Sequence, residues 1–285
     1  MFRRKSYFST STTHRKMPSE SEEELVFEES QEEKVEELFV KLDDEGVRYV
    51  VPRGYRSLPE SVPGGDLDLY VDEEDFRESI KVAEKTGFEP RGNTKDGGLA
   101  NLALTAARKP TKASKMLVTD PKRVYRLVRR HAGLGNGKIE EDDEEVFSGY
   151  QERKLMYEGL QLHLFNHLAY TSPLNSQKIR VDPAVEKSML ENRKMCEEWY
   201  VPDDVDEFLH LVCRGIFDYG GDFPEYYVER CDELLKEIRA DEGETERLKE
   251  LLSKVFFEAD GLIYDLSTRG EYDEMKDELR KFSEY

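Results

Sequence analysis

The sequence has few cysteines and lacks the long apolar runs that membrane spans require. Cys196, Cys213 and Cys231 occur in a chain of 285 residues, without a Cys-x-x-Cys motif or a histidine at zinc-finger spacing. An odd number of cysteines in helical surroundings favours buried, reduced thiols and a cytoplasmic location. Since no apolar run approaches about 18 residues, we expect no membrane span.

Several motifs of nucleotide binding and hydrolysis are also missing. The glycine-rich stretches GNTKDGGLA and GLGNGK match neither GxxxxGK[ST] nor GxGxxG, which excludes a P-loop or a Rossmann interpretation. The chain has no GxSxG, no HExxH and no Cys–His pairing typical of hydrolases. An active site in this chain must therefore use another arrangement of residues.

Positive charge is scarce relative to negative charge. The chain has 43 Lys and Arg against 63 Asp and Glu, which gives a formal net charge of -20. Such a surface repels nucleic acid and anionic membranes, so a nucleotide would have to be met by a local site. The charge fits a protein working at high salt, where screening removes self-repulsion, and equally an ordinary acidic cytosolic protein.

Residues 1–20 differ in composition from the rest of the chain. MFRRKSYFSTSTTHRKM is rich in basic and hydroxyl residues, contains no acid, and lacks the apolar core of a secretory signal. It resembles an organelle transit peptide in composition. We interpret it instead as a disordered tail or as a start placed too early, with Met17 as the alternative initiator, and omit it from the fold.

The segment that follows predicts helix, strand, loop, strand and helix. Apolar residues recur at helical spacing from Val35 to Leu42, and Gly46 ends this helix. VRYVVPR and DLDLYV predict strands, separated by the Gly- and Pro-rich loop GYRSLPESVPGG. DEEDFRESIKVAEKTGF predicts a second helix, with Asp72 as its cap and Gly87 at its end.

The middle of the chain is less regular. LANLAL and SKMLVT predict strands, and DPKRVYRLVRR predicts a helix. Residues 108–131 form a basic zone, which is either a solvated helix face or a docking site for an anionic substrate. Leu160, Leu162 and Leu164 alternate with polar or aromatic residues, which is the periodicity of a strand.

Beyond about residue 182, successive amphipathic patterns each predict a helix, among them DPAVEKSMLENRKMCEEW (residues 182–199) and ETERLKELLSKVFFEADGLIYDL (residues 244–266). Together they predict an all-helical domain over residues 182–285. The predicted fold class is therefore α+β, with a mixed sheet flanked by helices over residues 25–175 and this helical domain after it. We expect His167 and His210 to be buried packing residues.

DLDLYV combines an apolar face with two acids. In a strand, alternate side chains point to opposite faces, so Asp66 and Asp68 lie on one face, roughly 7 Å apart. Two adjacent carboxylates are costly unless a cation joins them, and Mg²⁺ does so in phosphate chemistry. Gly64 and Gly65 precede the pair and allow close approach of a phosphate to the backbone. The alternative is a solvated strand face.

VRYVVPRGYRSLPESVPGGDLDLYVDEEDF resembles the core of the nucleotidyltransferase superfamily, the polymerase-beta-like fold. Its members carry a Gly-Gly or Gly-Ser turn and then Asp-hydrophobic-Asp-hydrophobic on the next strand. The resemblance is firmest over residues 30–90 and extends to about residue 170. With FNHLAY and RVDPAVE, the chain is similar to a little-characterised nucleotidyltransferase-like group of archaea and bacteria, with some relatives in surface-polysaccharide pathways.

The resemblance implies metal-dependent transfer of a nucleotidyl group from an NTP to a small-molecule acceptor, such as a sugar or polyol phosphate. Asp66 and Asp68 would hold Mg²⁺ or Mn²⁺, and Gly64 and Gly65 would line the triphosphate. Arg53 would contact phosphate, and Lys81 is a further candidate for this role. Surface charge is the alternative for both basic residues.

Two features depart from the superfamily pattern. Gly65 directly precedes Asp66, whereas the family places its glycines some residues earlier. The later strand LQLHLFN offers Gln161 and His163 where a third carboxylate is expected. Either His163 replaces that acid, which would favour Mn²⁺, or Asp182 supplies it, or the site binds without catalysing; VDPAVE otherwise predicts a helix capped by Asp182.

Three functions remain open from the sequence. The first is a nucleotidyltransferase with Asp66, Asp68 and His163 as its catalytic residues. The second is a catalytically silent module that binds a nucleotide or metabolite at a degenerate metal site. The third is a toxin–antitoxin component, whose acceptor would be a protein or a tRNA. The acidic surface disfavours tRNA.

Overall fold

The computed structural model describes residues 25–26, 28–62, 66–90, 149–172 and 177–282. The predictions for the N-terminal twenty residues, for LANLAL, SKMLVT and DPKRVYRLVRR, and for the basic zone of residues 108–131 lie outside the described residues. The same is true of Gly64 and Gly65.

Strands and helices alternate in the first part of the described chain, and helices dominate the last part. The strands are β1 (Leu25–Val26), β2 (Tyr49–Val50), β3 (Ser61–Val62), β4 (Asp66–Val71), β5 (Glu89–Pro90), β6 (Glu152–Tyr157), β7 (Leu160–Phe165), β8 (Ala169–Thr171), β9 (Lys178–Arg180), β10 (Lys194–Cys196) and β11 (Trp199–Val201). The helices are α1 (Glu29–Asp44), α2 (Phe76–Thr86), α3 (Pro183–Glu191), α4 (Asp204–Cys213), α5 (Glu225–Ile238), α6 (Glu242–Phe256), α7 (Asp260–Thr268) and α8 (Met275–Phe282). A π-helical turn, Arg214–Asp218, continues α4.

The main sheet is mixed and has the strand order β2-β4-β7-β6-β5. β4 is antiparallel to β2 and parallel to β7, while β6 is antiparallel to both of its neighbours. The predicted mixed sheet is therefore present, with the strand DLDLYV at an interior position. Short antiparallel pairs join β1 to β3, β8 to β9 and β10 to β11.

The predicted helices before and after β4 are both present. The apolar stripe of α1 from Val35 to Leu42 is fully buried, as its spacing predicts. The cap predicted for α2 is wrong: the helix begins after Asp75, because the Asp72 carboxylate accepts the Glu74 N–H and forms a turn first. Gly87 ends α2 with a φ of 106°, a conformation that glycine adopts without strain.

The two faces of the sheet meet different surroundings. Leu67, Leu69 and Val71 of β4 join a core that contains the buried residues of α1 and α2. Tyr70, on the opposite face, joins the second core, which is built mainly by the C-terminal helices. The polar face of β4 is thus turned toward the C-terminal region.

The C-terminal region is mainly helical, as predicted, but the all-helical description is wrong. The helix predicted across residues 182–199 ends at Glu191, and β10 and β11 form a hairpin around Glu197, whose φ is 55°. This hairpin belongs to the sheet's core, since Trp199 packs against Phe39 and the Val51 N–H donates to the Tyr200 carbonyl at 2.8 Å.

Another predicted helix is divided in two. α6 and α7 were expected to be continuous, but Phe257 between them has a φ of 51°, which breaks the helical hydrogen bonding. Phe257 is also 76% exposed, so its aromatic ring gives no apolar pattern that would place the break.

Two further predictions concern membranes and thiols. None of the described helices has both the length and the apolar character needed to cross a membrane. The cysteines are free; Cys213 and Cys231 are buried as expected, whereas Cys196 is half-buried.

Candidate functional site

Asp66 and Asp68 occupy the same face of β4, as the period of the strand predicts. The parallel register sets Asp66 beside Gln161 and Asp68 beside His163 on β7. Asp68 is 7% exposed, whereas Asp66 is half-buried. The two acids thus lie at the N-terminal end of β4, where the strand changes from buried residues to a half-buried one.

Asp68 has a cation on each of its oxygens. Arg53 donates from Nε to Oδ2 at 2.9 Å, and its Nη2 lies 2.8 Å from the same oxygen. Nδ1 of His163 lies 3.0 Å from Oδ1. Burial raises the pKa of Asp68, but Arg53 and His163 more than offset that effect and hold this pKa well below its usual range. Asp68 is therefore a carboxylate at every physiological pH.

His163 connects Asp68 to a third carboxylate. Its Nε2 lies 3.3 Å from Oε2 of Glu152, on the neighbouring strand β6. Burial lowers the pKa of His163, yet hydrogen bonds to the two carboxylates raise it overall. Both ring nitrogens face acceptors, so the favoured state is the imidazolium, which donates to both.

Glu152 is the residue of this cluster that the sequence analysis missed. Its carboxylate also accepts from the Tyr150 hydroxyl at 2.8 Å and from Nζ of Lys178 at 2.9 Å. The hydrogen bond from His163 is the largest cause that lowers the pKa of Glu152. In the sequence, the alternation in ERKLMY followed by Glu158–Gly159 was the signal for a hairpin. The structure has this hairpin, with a positive φ at both turn residues, and it puts Glu152 on the same face as His163.

Asp66 differs from Asp68 in having no hydrogen bond or ion pair with any residue in the described part of the chain. Burial is the main cause that raises its pKa, and the charge of Asp68 adds to the effect. Its carboxylate is thus the acid of the pair that is available to a cation or a substrate.

The C-terminal region contributes a further cation on the side of Asp68. Arg214 begins the π-helical turn, and its Nε donates to the Tyr227 hydroxyl at 2.9 Å. Its Nη1 lies 3.7 Å from Asp218, whose other oxygen accepts the Thr171 N–H. The charge of Arg214 also helps to lower the pKa of Asp68. Single π-turns often occur at functional sites.

The other predicted site residues lie elsewhere or form other contacts. Lys81 pairs with Glu78 at 2.6 Å on the exposed face of α2, so it is a surface charge. Asp182 accepts the Ala184 N–H at 2.8 Å, which makes it the cap of α3, with Pro183 as the first helical residue. His167 and His210 are both buried, as expected, at 2% and 4% exposure.

Asp66 and Asp68 are the candidate ligands for a divalent cation in the described part of the chain. Among the residues that the structure describes, no group of three or more His, Cys, Asp or Glu is arranged to hold a metal. Asp66 is available, and Oδ1 of Asp68 accepts from His163 alone, which leaves a second lone pair. Mg²⁺ is commonly held by one or two carboxylates while substrate phosphates and water complete its octahedron.

Comparison of the chain with models of protein families, with curated proteins and with solved structures found no match. The interpretation of this site therefore depends on its own geometry.

Proposed function

We propose that the protein is a divalent-metal-dependent nucleotidyltransferase, which transfers a nucleotidyl group from an NTP to the hydroxyl group of a small-molecule acceptor. The observation that carries this proposal is the pairing of Asp66 and Asp68 on one face of an interior strand, with Asp66 uncommitted and Asp68 fixed by Arg53 and His163. A pair that served only as a solvated strand face would need no such fixing, since solvent screens exposed acids.

The residues of the chain divide the work in this proposal. Asp66 and Asp68 would hold one Mg²⁺ or Mn²⁺ ion, which supplies charge neutralisation at the phosphates when bound. His163 and Glu152 keep Asp68 in a fixed orientation. The planar guanidinium of Arg53 suits phosphate oxygens as well as it suits the carboxylate it contacts now. Gly64 and Gly65, by the resemblance, would line the triphosphate.

A second candidate is a catalytically silent module that binds a nucleotide or metabolite in the same place. It is favoured by one specific observation: β7 places Gln161 and His163, rather than an acid, beside Asp66 and Asp68. A single cation can anchor a triphosphate without assembling the two-metal arrangement that activates both the attacking and the leaving oxygen.

Calorimetric titration with each of the four NTPs, in Mg²⁺, in Mn²⁺ and in EDTA, tests both candidates. The informative variant is Asp66→Asn, because the Asp66 side chain has no hydrogen bond or ion pair with any described residue. Asp204→Asn, which changes an acid with a 45% exposed side chain 3.5 Å from Lys194, is the matched control. Metal-dependent binding that Asp66→Asn weakens and Asp204→Asn leaves unchanged supports the site.

Pyrophosphate release with a panel of sugar and polyol phosphates then separates the two candidates. Release that requires the metal ion and Asp66 supports the transferase. Binding without release with any acceptor supports the silent module. If the folded protein binds no NTP under any of these conditions, both proposals are wrong.

A further inference from the structure

The last turns of α4 present a polar stripe toward the loop that carries Arg53. Glu207, His210 and Arg214 are spaced three and four residues apart and therefore share one face of the helix. Glu207 accepts a hydrogen bond from the Tyr55 hydroxyl at 2.7 Å. Since Tyr55 is two residues from Arg53, this contact places the loop against the stripe.

His210, in the middle of this stripe, has one ring nitrogen satisfied and one not. Nδ1 lies 2.8 Å from the hydroxyl of Tyr170. Nε2 is buried and has no hydrogen-bond partner among the described residues. Burial chiefly, and then the charges of Arg214 and Arg53, lower the pKa of His210 well below its usual value. In the tautomer in which Nδ1 accepts the Tyr170 O–H, the neutral ring carries its proton on Nε2.

A buried N–H without an acceptor is unusual, because the lost hydrogen bond to water is not replaced. In this tautomer the N–H belongs to the same helix face as Arg214, four residues on, and the charges of Arg214 and Arg53 both contribute to the lowered His210 pKa. Arg53 and Arg214 have side chains that are 12% and 20% exposed, so neither guanidinium is completely buried. In the described structure, Nη2 of Arg214 also has no hydrogen-bond acceptor.

We propose that His210 and Arg214, together with Arg53, form a phosphoryl-binding subsite contributed largely by the C-terminal region. Donors on all three side chains suit a group with several anionic oxygens, and guanidinium groups match phosphoryl oxygens in geometry and charge. The subsite rests on the proposed function for its role, which is to hold a phosphoryl group of either the nucleotide or the acceptor beside Asp66 and Asp68. Binding itself needs neither a metal ion nor turnover.

The test is calorimetric titration of the full chain with pyrophosphate and with inorganic phosphate, in EDTA. We expect pyrophosphate to bind, and Arg214→Gln to weaken it by about tenfold or more, as loss of a charge-assisted hydrogen bond predicts. Arg269→Gln, which removes an exposed guanidinium 2.8 Å from Glu271, is the matched control and should leave binding unchanged. No pyrophosphate binding by the folded protein, or equal binding by Arg214→Gln, would overturn the proposal.

A second measurement reports on His210 directly. In ¹⁵N-resolved NMR of the imidazoles, we expect the His210 ring to be neutral with its proton on Nε2, and pyrophosphate to shift that resonance. His210→Phe should weaken pyrophosphate binding, because it keeps a planar aromatic ring at this buried position but removes the ring nitrogens. A His210 resonance unchanged at saturating pyrophosphate would exclude this residue from the subsite.

Competition identifies the source of the phosphoryl group. If an NTP in EDTA displaces pyrophosphate and glucose 6-phosphate does not, the subsite holds the nucleotide's phosphates. If glucose 6-phosphate displaces pyrophosphate and the NTP does not, the subsite holds the phosphoryl group of the acceptor. A protein that binds pyrophosphate through Arg214 and yet releases none from any NTP would keep this inference and reject the transferase.

Discussion

Two nitrogens of Arg53 contact the same oxygen of Asp68: Nε donates to Oδ2 at 2.9 Å, and Nη2 lies 2.8 Å from it. The side chains are 12% and 9% exposed, so both charges are largely removed from water. A pair of this kind is costly to break from one side, because the remaining charge stays buried without its partner.

Arg53→Gln should therefore destabilise the protein considerably. We expect the free energy of unfolding to fall by about 3 kcal/mol, the lower end of the range for a broken buried pair. Urea denaturation measures the change. Arg56→Gln is the control, since Arg56 and Glu233 are each 58% exposed and such a pair contributes less than about 1 kcal/mol. Equal effects of the two substitutions would contradict the assigned burial of the Asp68 pair.

Because of Asp206, the free energy of unfolding should decrease as the pH rises toward 8. Burial, and then the charge of Asp203, raise the pKa of Asp206 to about 7 in the folded protein. The folded state therefore retains a proton that the unfolded chain releases near pH 4. The stabilising contribution of this proton is complete below about pH 4 and is lost as the pH rises through about 7.

Asp206→Asn should remove this pH dependence. Its amide oxygen can still accept from Ser188 and Arg247, which contact Oδ2 of Asp206 at 3.1 and 3.0 Å. Between pH 5 and pH 8, we expect the free energy of unfolding of the variant to rise by more than about 1 kcal/mol relative to that of the wild type, since one pKa unit corresponds to about 1.4 kcal/mol. Unfolding by urea at several pH values measures the difference, with Asp204→Asn, whose side chain is 45% exposed, as the control. Parallel pH profiles for wild type and Asp206→Asn would show that Asp206 is ionised in the fold.

Gly215 in the π-helical turn should not tolerate a side chain. A Cβ there would be 2.2 Å from Cε1 of Phe223, whose ring covers the glycine. Gly215→Ala should cost about 1–3 kcal/mol through overpacking and displace the neighbouring Arg214. Gly261→Ala in α7 is the control, because nothing lies within 4 Å of its Cβ and alanine favours a helix. Thermal unfolding compares the two variants, and a stable Gly215→Ala would contradict the packing of Phe223.

The cysteines should react at different rates with a thiol reagent. Cys213 and Cys231 are fully buried, and burial raises the pKa of both thiols, whereas Cys196 is half-buried. We expect Cys196 to react in the native protein and the other two to react only on unfolding. Absorbance with an aromatic disulfide, with and without urea, counts the reacting thiols. Rapid modification of Cys213 or Cys231 would show that the helical core opens easily.

Local periodicity predicted much of the fold around the acids. The alternation in DLDLYV placed Asp66 and Asp68 on one face, and helical spacing located α1 and α2. Glu152 was missed because its approach to His163 depends on the β6–β7 hairpin, whose Glu158–Gly159 turn lacks the usual Asn-Gly or Asp-Gly signal. Arg214 was missed because its effect on the pKa of Asp68 depends on the packing of the C-terminal region.

The errors in the C-terminal region have local causes. The sequence KMCEEWYV continues the helical spacing of α3, yet its aromatic and β-branched residues favour a hairpin that packs on the sheet. The break at Phe257 depends on a positive φ at a residue that is not glycine, which residue type alone does not predict.

The parallel pairing of β4 with β7 has a consequence for how the protein folds. It joins Asp68 to His163 across 95 positions of the chain, whereas β6 and β7 meet through a two-residue turn. Local hairpins close in microseconds, while contacts of long sequence separation form slowly because a large loop must close first. The β6–β7 hairpin should thus be formed before the acid pair acquires its neighbours, and on a ribosome the site would assemble only after β7 has emerged.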